Sequence, residues 1–354
     1  MNTIKKKKAV VLSGGGAKGA YEAGVLKYII ENWGLCFDIV IGTSAGALNG
    51  FMYSSLDSCL SNKTNAETMI KPWNEVSIPQ ILKLPFDDYL KGNFNSIFDN
   101  RQLYKFVNKY FSKELQDYNI KTKILETMIV VTGEMASGQT HVWYNSNDKN
   151  LKLDSQRWIS HGVELTVDHA IASGAIPTIF RAVELEDEKG YRKWHNDGGI
   201  TMNTPISPAI QAGAEKILVV YLGNPTKQAV EEIPSIYTVL KDTLLTLLFY
   251  NHLKEDIIRA NTINSLLDKL GVNEFEGYRK VDLTVIRPSR SLDSKAIAGL
   301  KDQSLLFRII PDFISELLSL STLMMTPIYT KTMIELGYDD AKKMHQELES
   351  FFND

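Results

Sequence analysis

The chain has 354 residues, 44% hydrophobic and 23% charged, with a formal net charge of −3. That length suits one large α/β domain, or a domain with an appendage, and the balance is that of an ordinary globular protein. A slightly negative chain has no bulk attraction to nucleic acid, and its two cysteines, Cys36 and Cys59, make neither a disulfide framework nor a C-x-x-C pair.

Four lysines at positions 5–8 and the apolar residues after them imitate a secretory signal, but the run breaks at Ser13 and three glycines. It is too short for a signal, and no apolar run is long enough to span a bilayer. The expectation is a solvated tail leading into a first strand, residues 9–13, in a cytoplasmic protein. Export by a dedicated system stays compatible with this reading. The lysines could also touch anionic lipid.

Residues 14–19 read Gly-Gly-Gly-Ala-Lys-Gly, a G-x-G-x-x-G pattern between that strand and a helix over 20–33. Two readings compete. A dinucleotide site needs an acid at the end of the next strand, roughly 20 residues on. Asp38 lies near that distance but precedes its strand. The other reading is an anion-binding loop, with consecutive amides converging on one oxygen and a helix dipole behind them.

Residues 39–49, Ile-Val-Ile-Gly-Thr-Ser-Ala-Gly-Ala-Leu-Asn, hold a G-x-S-x-G pattern centred on Ser44. The apolar run before it predicts a strand and the small residues after it a helix. A nucleophile elbow has this form: a sharp turn that lifts the serine hydroxyl above the sheet, with small residues at Gly42 and Gly46 where strand and helix cross. A serine that merely caps a helix would read similarly. The order strand, glycine loop, helix, strand, serine turn sets the loop beside Ser44 at the carboxyl ends of parallel strands.

Further on, residues 62–65 read as a surface loop, and 73–90 as either a lid or a core helix pair. Residues 101–111 have helical spacing. A strand at 127–132 pairs with 139–144 as a hairpin. A helix over 167–172 is broken at 173–177. Residues 182–185 and 191–195 flank a charged turn as a second hairpin, which ends at Asp197, Gly198 and Gly199. An aspartate there stands in catalytic position for a parallel sheet, although Asp-Gly turns are common. Strands are expected at 216–222 and 281–288, helices over 236–270 and 305–328, and a closing helix over 333–352 with Gly337 near its start.

Ser44 needs a base. His141, His161, His169 and His195 precede Asp197, while His252 and His345 lie in charged helical stretches. A Ser-Asp-His order is therefore weakly supported, and a Ser44–Asp197 pair is well placed. Its aspartate would need desolvation to act as a base.

The motifs SGGGAKGAYEAGVL, GTSAGALNG, ASGAIP and DGG, in this order and spacing, resemble the patatin-like phospholipase (acyl hydrolase) family. The run at 334–341 is similar to the end of many bacterial members. The resemblance is strong over residues 9–208 and loose beyond. It implies a three-layer α/β/α fold with a mostly parallel sheet, residues 1–222 as catalytic core, and a mainly helical part, 223–354, adding the late strand. It implies Ser44 as nucleophile, Asp197 as general base, and Gly14, Gly15 and Gly16 as the oxyanion hole, with the Ala17 amide a further donor. Lys18, Gly19, Gly42, Gly46, Gly198 and Gly199 would support these motifs. Ser13 stands where the family often has aspartate, which leaves the loop's supporting bonds open. The implied partner is a lipid with a fatty acyl ester, met at transient membrane contacts, with no cofactor, no metal and no nucleic acid; oligomeric state is unspecified. A non-catalytic lipid-binding relative and a nucleotide-cofactor enzyme are the alternatives.

Overall fold

Short runs rich in valine and isoleucine form the centre of the molecule, because strands buried on both faces need apolar residues at every position. The computed structural model describes residues 6–93, 95–223, 253–276, 278–292 and 325–353. The helical stretch expected from 236 to 252 and the apolar segment from 305 to 324 lie outside the described residues.

The chain begins with β1 (Lys8–Leu12), a 3-10 turn (Gly16–Lys18), α1 (Gly19–Trp33), β2 (Ile39–Thr43) and α2 (Ala45–Ser54). Five helices follow: α3 (Asn62–Glu75), α4 (Ile78–Ile81), α5 (Phe86–Leu90), α6 (Arg101–Tyr110) and α7 (Lys113–Lys121). Next come β3 (Thr127–Glu134), β4 (Thr140–Ser146), β5 (Ile159–Gly162), α8 (Val167–Ser173), β6 (Val183–Glu186), β7 (Arg192–Asp197), α9 (Gly199–Met202), α10 (Ile206–Gln211) and β8 (Lys216–Val220). The last described elements are α11 (Leu253–Leu270), β9 (Glu274–Phe275), β10 (Tyr278–Arg279), β11 (Asp282–Ile286), α12 (Pro327–Lys343) and α13 (His345–Asn353).

The main sheet runs β11-β8-β1-β2-β3-β4-β5, with β7 joined to β3 and β6 to β7. From β11 to β3 the pairings are parallel. The sheet becomes mixed beyond that point, because β4 and β7 both run antiparallel to β3. Alternate residues feed two cores. Val10, Leu12, Val40 and Val130 pack with residues of α1, α2, α3 and α12, while Val11, Ile39, Ile41 and Ile129 pack with residues of α10 and α11. Helices thus cover both faces of the sheet.

Register decides what meets at the carboxyl end. Thr43, the last residue of β2, lies opposite Val131 of β3. The next residue of β3, Thr132, pairs with Asp197, the last residue of β7. The chain therefore leaves β2 at Ser44 just where β7 delivers Asp197.

Three local expectations change. Residues 62–65 open α3 instead of forming a loop, because the Ser61 hydroxyl accepts the Thr64 amide at 3.2 Å and caps the helix. The closing helix is two helices, α12 and α13, and Gly337 sits inside the first. A Cβ there would stand 2.0 Å from the Tyr21 carbonyl, so the glycine permits the close approach of α12 to α1. In the 73–90 segment, Trp73, Ile78, Ile81 and Leu82 are core residues, whereas Phe86 and Leu90 are exposed. Among the described residues no helix is long and apolar enough to cross a membrane.

Candidate active site

Ser44 has φ 57° and ψ −125°, a positive φ rare for a residue with a side chain. Neighbours hold it there. Its amide donates to the Ser173 hydroxyl at 2.8 Å, and that hydroxyl donates onward to the Val131 carbonyl at 2.6 Å. Gly42 and Gly46 make the turn possible: a Cβ on Gly42 would lie 2.2 Å from the Gly46 carbonyl, and one on Gly46 2.3 Å from the Leu12 carbonyl. Ser44 also sits at the positive end of α2, which favours developing negative charge nearby.

The Ser44 hydroxyl donates to Asp197 Oδ2 at 2.6 Å. The other carboxylate oxygen, Oδ1, accepts the Gly199 amide at 2.7 Å. The Asp197 amide donates to the Ala175 carbonyl at 2.9 Å, so the broken end of α8 braces the strand terminus. Asp197 is wholly buried and Ser44 is 2% exposed. Burial pushes the Asp197 carboxyl up to about 7, against the opposing pull of its Ser44 and Gly199 hydrogen bonds.

The glycine loop lies alongside. Gly14 packs close to the Ser44 Cβ and the Asn203 side chain. Its amide donates to the Asn203 carbonyl at 3.2 Å and its carbonyl accepts Asn203 Nδ2 at 3.4 Å. The amides of Gly15, Gly16 and Ala17 have no acceptor among the described residues. Ser13 stitches the loop to β8: its hydroxyl donates to the Val220 carbonyl at 2.9 Å and accepts the Leu222 amide at 3.1 Å. Lys18 is buried in the 3-10 turn, and Gly19 opens α1 against Ala45 and Trp73. Gly198 lies against the Val131 carbonyl.

Sequence reasoning assigned no role to Ser173, Asn203 or Asn49. Asn49 Nδ2 donates to the Gly19 carbonyl at 2.9 Å and to Glu22 Oε2 at 2.8 Å, while Oδ1 accepts Trp73 Nε1 at 2.8 Å. Burial holds the Glu22 carboxyl well above its ordinary range. All three residues belong to short motifs around the glycines and prolines of the site. That position was the available signal, but polar type alone named no contact.

Among the described residues no histidine is hydrogen-bonded to Ser44 or Asp197. Four of them surround Trp143 instead. The rings of His161 and His169 lie 4.2 and 5.0 Å from it, those of His195 and His141 at 5.3 and 5.9 Å. His345 meets the Tyr28 hydroxyl at 2.8 Å, far along the chain from the site. Asp38, which a cofactor reading would need beside the glycine loop, instead accepts the Lys8 amide at the opposite end of β1. Among the described residues no group of three or more His, Cys, Asp or Glu side chains is arranged to hold a metal ion.

The model of the family described as patatin-like phospholipase matches residues 10–210. Patatin-like phospholipase domain-containing protein 6 of Mus musculus and of Homo sapiens are each 27% identical over 223 residues, or 63% of this chain. The match takes in 14% of each of those proteins, so the chain spans a small part of their length. Among solved structures, VipD from Legionella pneumophila superposes with a TM-score of 0.39 and 14% identity, covering 97% of this chain and 67% of that one. The ExoU–SpcU complex from the type III secretion system of Pseudomonas aeruginosa gives a TM-score of 0.30 at 14% identity, covering 93% and 52%. The family match runs unbroken from the first strand into α10 and takes in the glycine loop, Ser44 and Asp197, and on that ground the chain belongs to the patatin-like phospholipase family.

Proposed function

We propose that the chain hydrolyses carboxylic esters of lipids through an acyl-serine, with Ser44 as nucleophile and Asp197 as its base. The observation that carries this reading is the 2.6 Å contact between the Ser44 hydroxyl and a fully buried carboxylate, with no imidazole between them. A desolvated carboxylate with an affinity for protons near neutrality is suited to take and return one proton. The strained turn at Ser44 is then a nucleophile elbow.

In the first step Asp197 takes the hydroxyl proton as Ser44 Oγ attacks the acyl carbonyl. Negative charge gathers on the carbonyl oxygen. The amides of Gly15, Gly16 and Ala17, which have no acceptor among the described residues, are the donors we assign to it. Gly14 serves differently, since its amide is already held by Asn203; it keeps the loop close to Ser44. Collapse expels the alcohol, which leaves with the proton from Asp197. A water then gives its proton to Asp197 and attacks the acyl-serine, and Asp197 returns the proton to Ser44 Oγ as the fatty acid leaves. For a phospholipid substrate the first product is a lysophospholipid. Access to such substrates calls for transient contact with a lipid surface.

The reading is tested with Ser44→Ala and Asp197→Asn proteins on a panel of lipid esters, together with a fluorophosphonate probe on the parent chain. Hydrolysis by the parent, labelling at Ser44, and loss of turnover in both variants are expected. A variant that turns over esters as the parent does would remove the dyad. A parent that neither hydrolyses nor labels would favour a lipid-binding relative.

A further inference from the structure

Strand β7 presents a second set of residues on its other side. Alternation along a strand sends Trp194 and Asn196 to the face opposite His195 and Asp197. Both line a cleft of about 260 Å³, together with Met135, Thr178, Phe180 and Arg181 among others. Trp194 is 48% exposed and Met135 45%, an unusual outlay of large apolar surface for one spot. Arg181 is the single charged residue of the lining. No carboxylate among the described residues pairs with its guanidinium. Thr178 holds φ at 67°, and a β-branched residue in that region is strained.

The wall that carries these residues is pinned. The amides of Ile97 and Phe98 donate to the Thr178 and Ile179 carbonyls at 2.9 and 2.8 Å, and Asn100 Nδ2 donates to the Arg181 carbonyl at 2.5 Å. Strain maintained by surrounding bonds is a mark of ligand clamps. A guanidinium with no carboxylate partner among the described residues, an aromatic wall and a strained threonine thus converge on one cleft, one peptide unit from Asp197.

We propose that this cleft binds a single-chain anionic amphiphile. Its carboxylate or phosphate lies against Arg181, with the Asn196 amide beside it, and its first methylenes lie on Trp194, Phe180 and Met135. The sign of the head group follows from the lining, which has a cation and no acid. The chain is required because one half-solvated arginine holds a free anion weakly, whereas each buried methylene adds about fourfold in affinity. Fatty acids and lysophospholipids share this chemistry, and both would be products of the hydrolysis proposed above. The physiological ligand therefore rests on that reading, while the binding itself does not.

The test is titration calorimetry on the full Ser44→Ala chain, which needs no turnover. Dodecanoate, dodecyl phosphate, dodecyltrimethylammonium and inorganic phosphate are compared below the micellar concentrations of the amphiphiles. One-to-one binding is expected for the two anionic amphiphiles, and their ratio identifies the preferred head. Inorganic phosphate should bind at least about a hundredfold more weakly, the equivalent of three to four methylenes. Arg181→Gln should weaken the anions about tenfold or more, as for one lost charge-assisted contact, and bring them level with the cationic amphiphile. The quenching of emission that accompanies binding should vanish in Trp194→Phe. Both side chains are exposed, and thermal melting of each variant checks that it is folded. Binding untouched by Arg181→Gln would belong to the Ser44 site and overturn the proposal. So would equal affinity for the cationic amphiphile, or no saturable binding. A chain that binds these probes yet hydrolyses nothing would refute the hydrolase reading and leave the cleft in place.

Discussion

Strand β7 ends two buried polar clusters of opposite character, separated by a single residue. At Asp197 a buried carboxylate accepts the Ser44 hydroxyl on one oxygen and the Gly199 amide on the other. At His195 an imidazole meets the Thr132 hydroxyl at 3.0 Å and joins three other histidines around Trp143. Burial raises the acid towards neutrality and lowers the histidines: His195 to about 3, His169 to about 4, and His141 below its ordinary value. Desolvation thus moves the carboxyl into the range where proton transfer is useful and moves the imidazoles out of it. In this fold the residue type most often used as a base is the one its surroundings disable.

Catalysis gives the widest separation between the two clusters. Asp197→Asn keeps the shape and the hydrogen bond from Gly199 but loses the base. Its kcat/KM should fall by about 10³-fold or more, on the scale of other dyad and triad members. His195→Leu removes an imidazole of similar volume two residues away, and kcat/KM should change by less than about tenfold. Equal losses in steady-state assays of the two proteins would mean that a histidine serves Ser44 after all.

The pH profile of the parent separates them next. With Asp197 as base, kcat/KM should be low where the carboxyl is protonated, rise through about pH 7, and level off above. His195 and His169, lowered to about 3 and about 4, should add no second step between pH 6 and 8. A rise centred near 4 would show a solvated carboxylate, contrary to its burial.

Stability should carry opposite signs at the two sites. The folded-state pKa of Asp197 lies above its unfolded value, so the native chain binds more protons between about pH 4 and 7. Its burial therefore weakens the fold progressively as pH rises through that window. Asp197→Asn should raise Tm at pH 8, with the gain shrinking to nothing near pH 4. His195 and His169 have folded-state values below their unfolded ones, so the native chain binds fewer protons, and their contribution is lost as pH falls below about 6.5. His195→Leu should lower Tm at pH 8 through the lost Thr132 contact, about 1 kcal/mol, and lower it less at pH 5. Calorimetric scans across pH 4–8 would show the two difference curves with opposite slopes.

The part of the site that could be read in the sequence was the part written in local patterns. Gly42, Ser44 and Gly46 follow an apolar run, and Asp197 ends the second arm of a hairpin marked by its charged turn. Such local signals place strand ends without knowledge of the fold. What placed Ser44 on Asp197 was the register of two strands against β3, a relation between residues far apart in sequence. Ser173 and Asn203 escaped for the same reason, since each acts through a partner more than a hundred positions away. β5 escaped because Ile159, Ser160, His161 and Gly162 show neither an apolar run nor clean alternation. The cap at Ser61 was legible in principle and was outweighed by the polar residues after it.

The smallest expected effect concerns the rim of the histidine cluster, where four groups form a row. Glu134 Oε2 stands 3.0 Å from His141 Nε2, His141 Nδ1 stands 2.9 Å from His161 Nε2, and His161 Nδ1 stands 2.8 Å from Glu188 Oε2. His141 and His161 are buried, whereas the Glu188 side chain is 45% exposed on the turn between β6 and β7, so Glu188 is the group that ties the turn to the row. Lys193 donates to Glu134 at 2.9 Å and closes the other end. Glu188→Ala removes the tie, and amide exchange at residues 187–191, corrected for the intrinsic rate, should quicken about tenfold, the size of one charge-assisted hydrogen bond. Glu188→Gln, whose side-chain amide still reaches His161 Nδ1, should stay closer to the parent than the alanine variant does. An alanine variant that exchanges like the parent would mean that the row does not hold the turn.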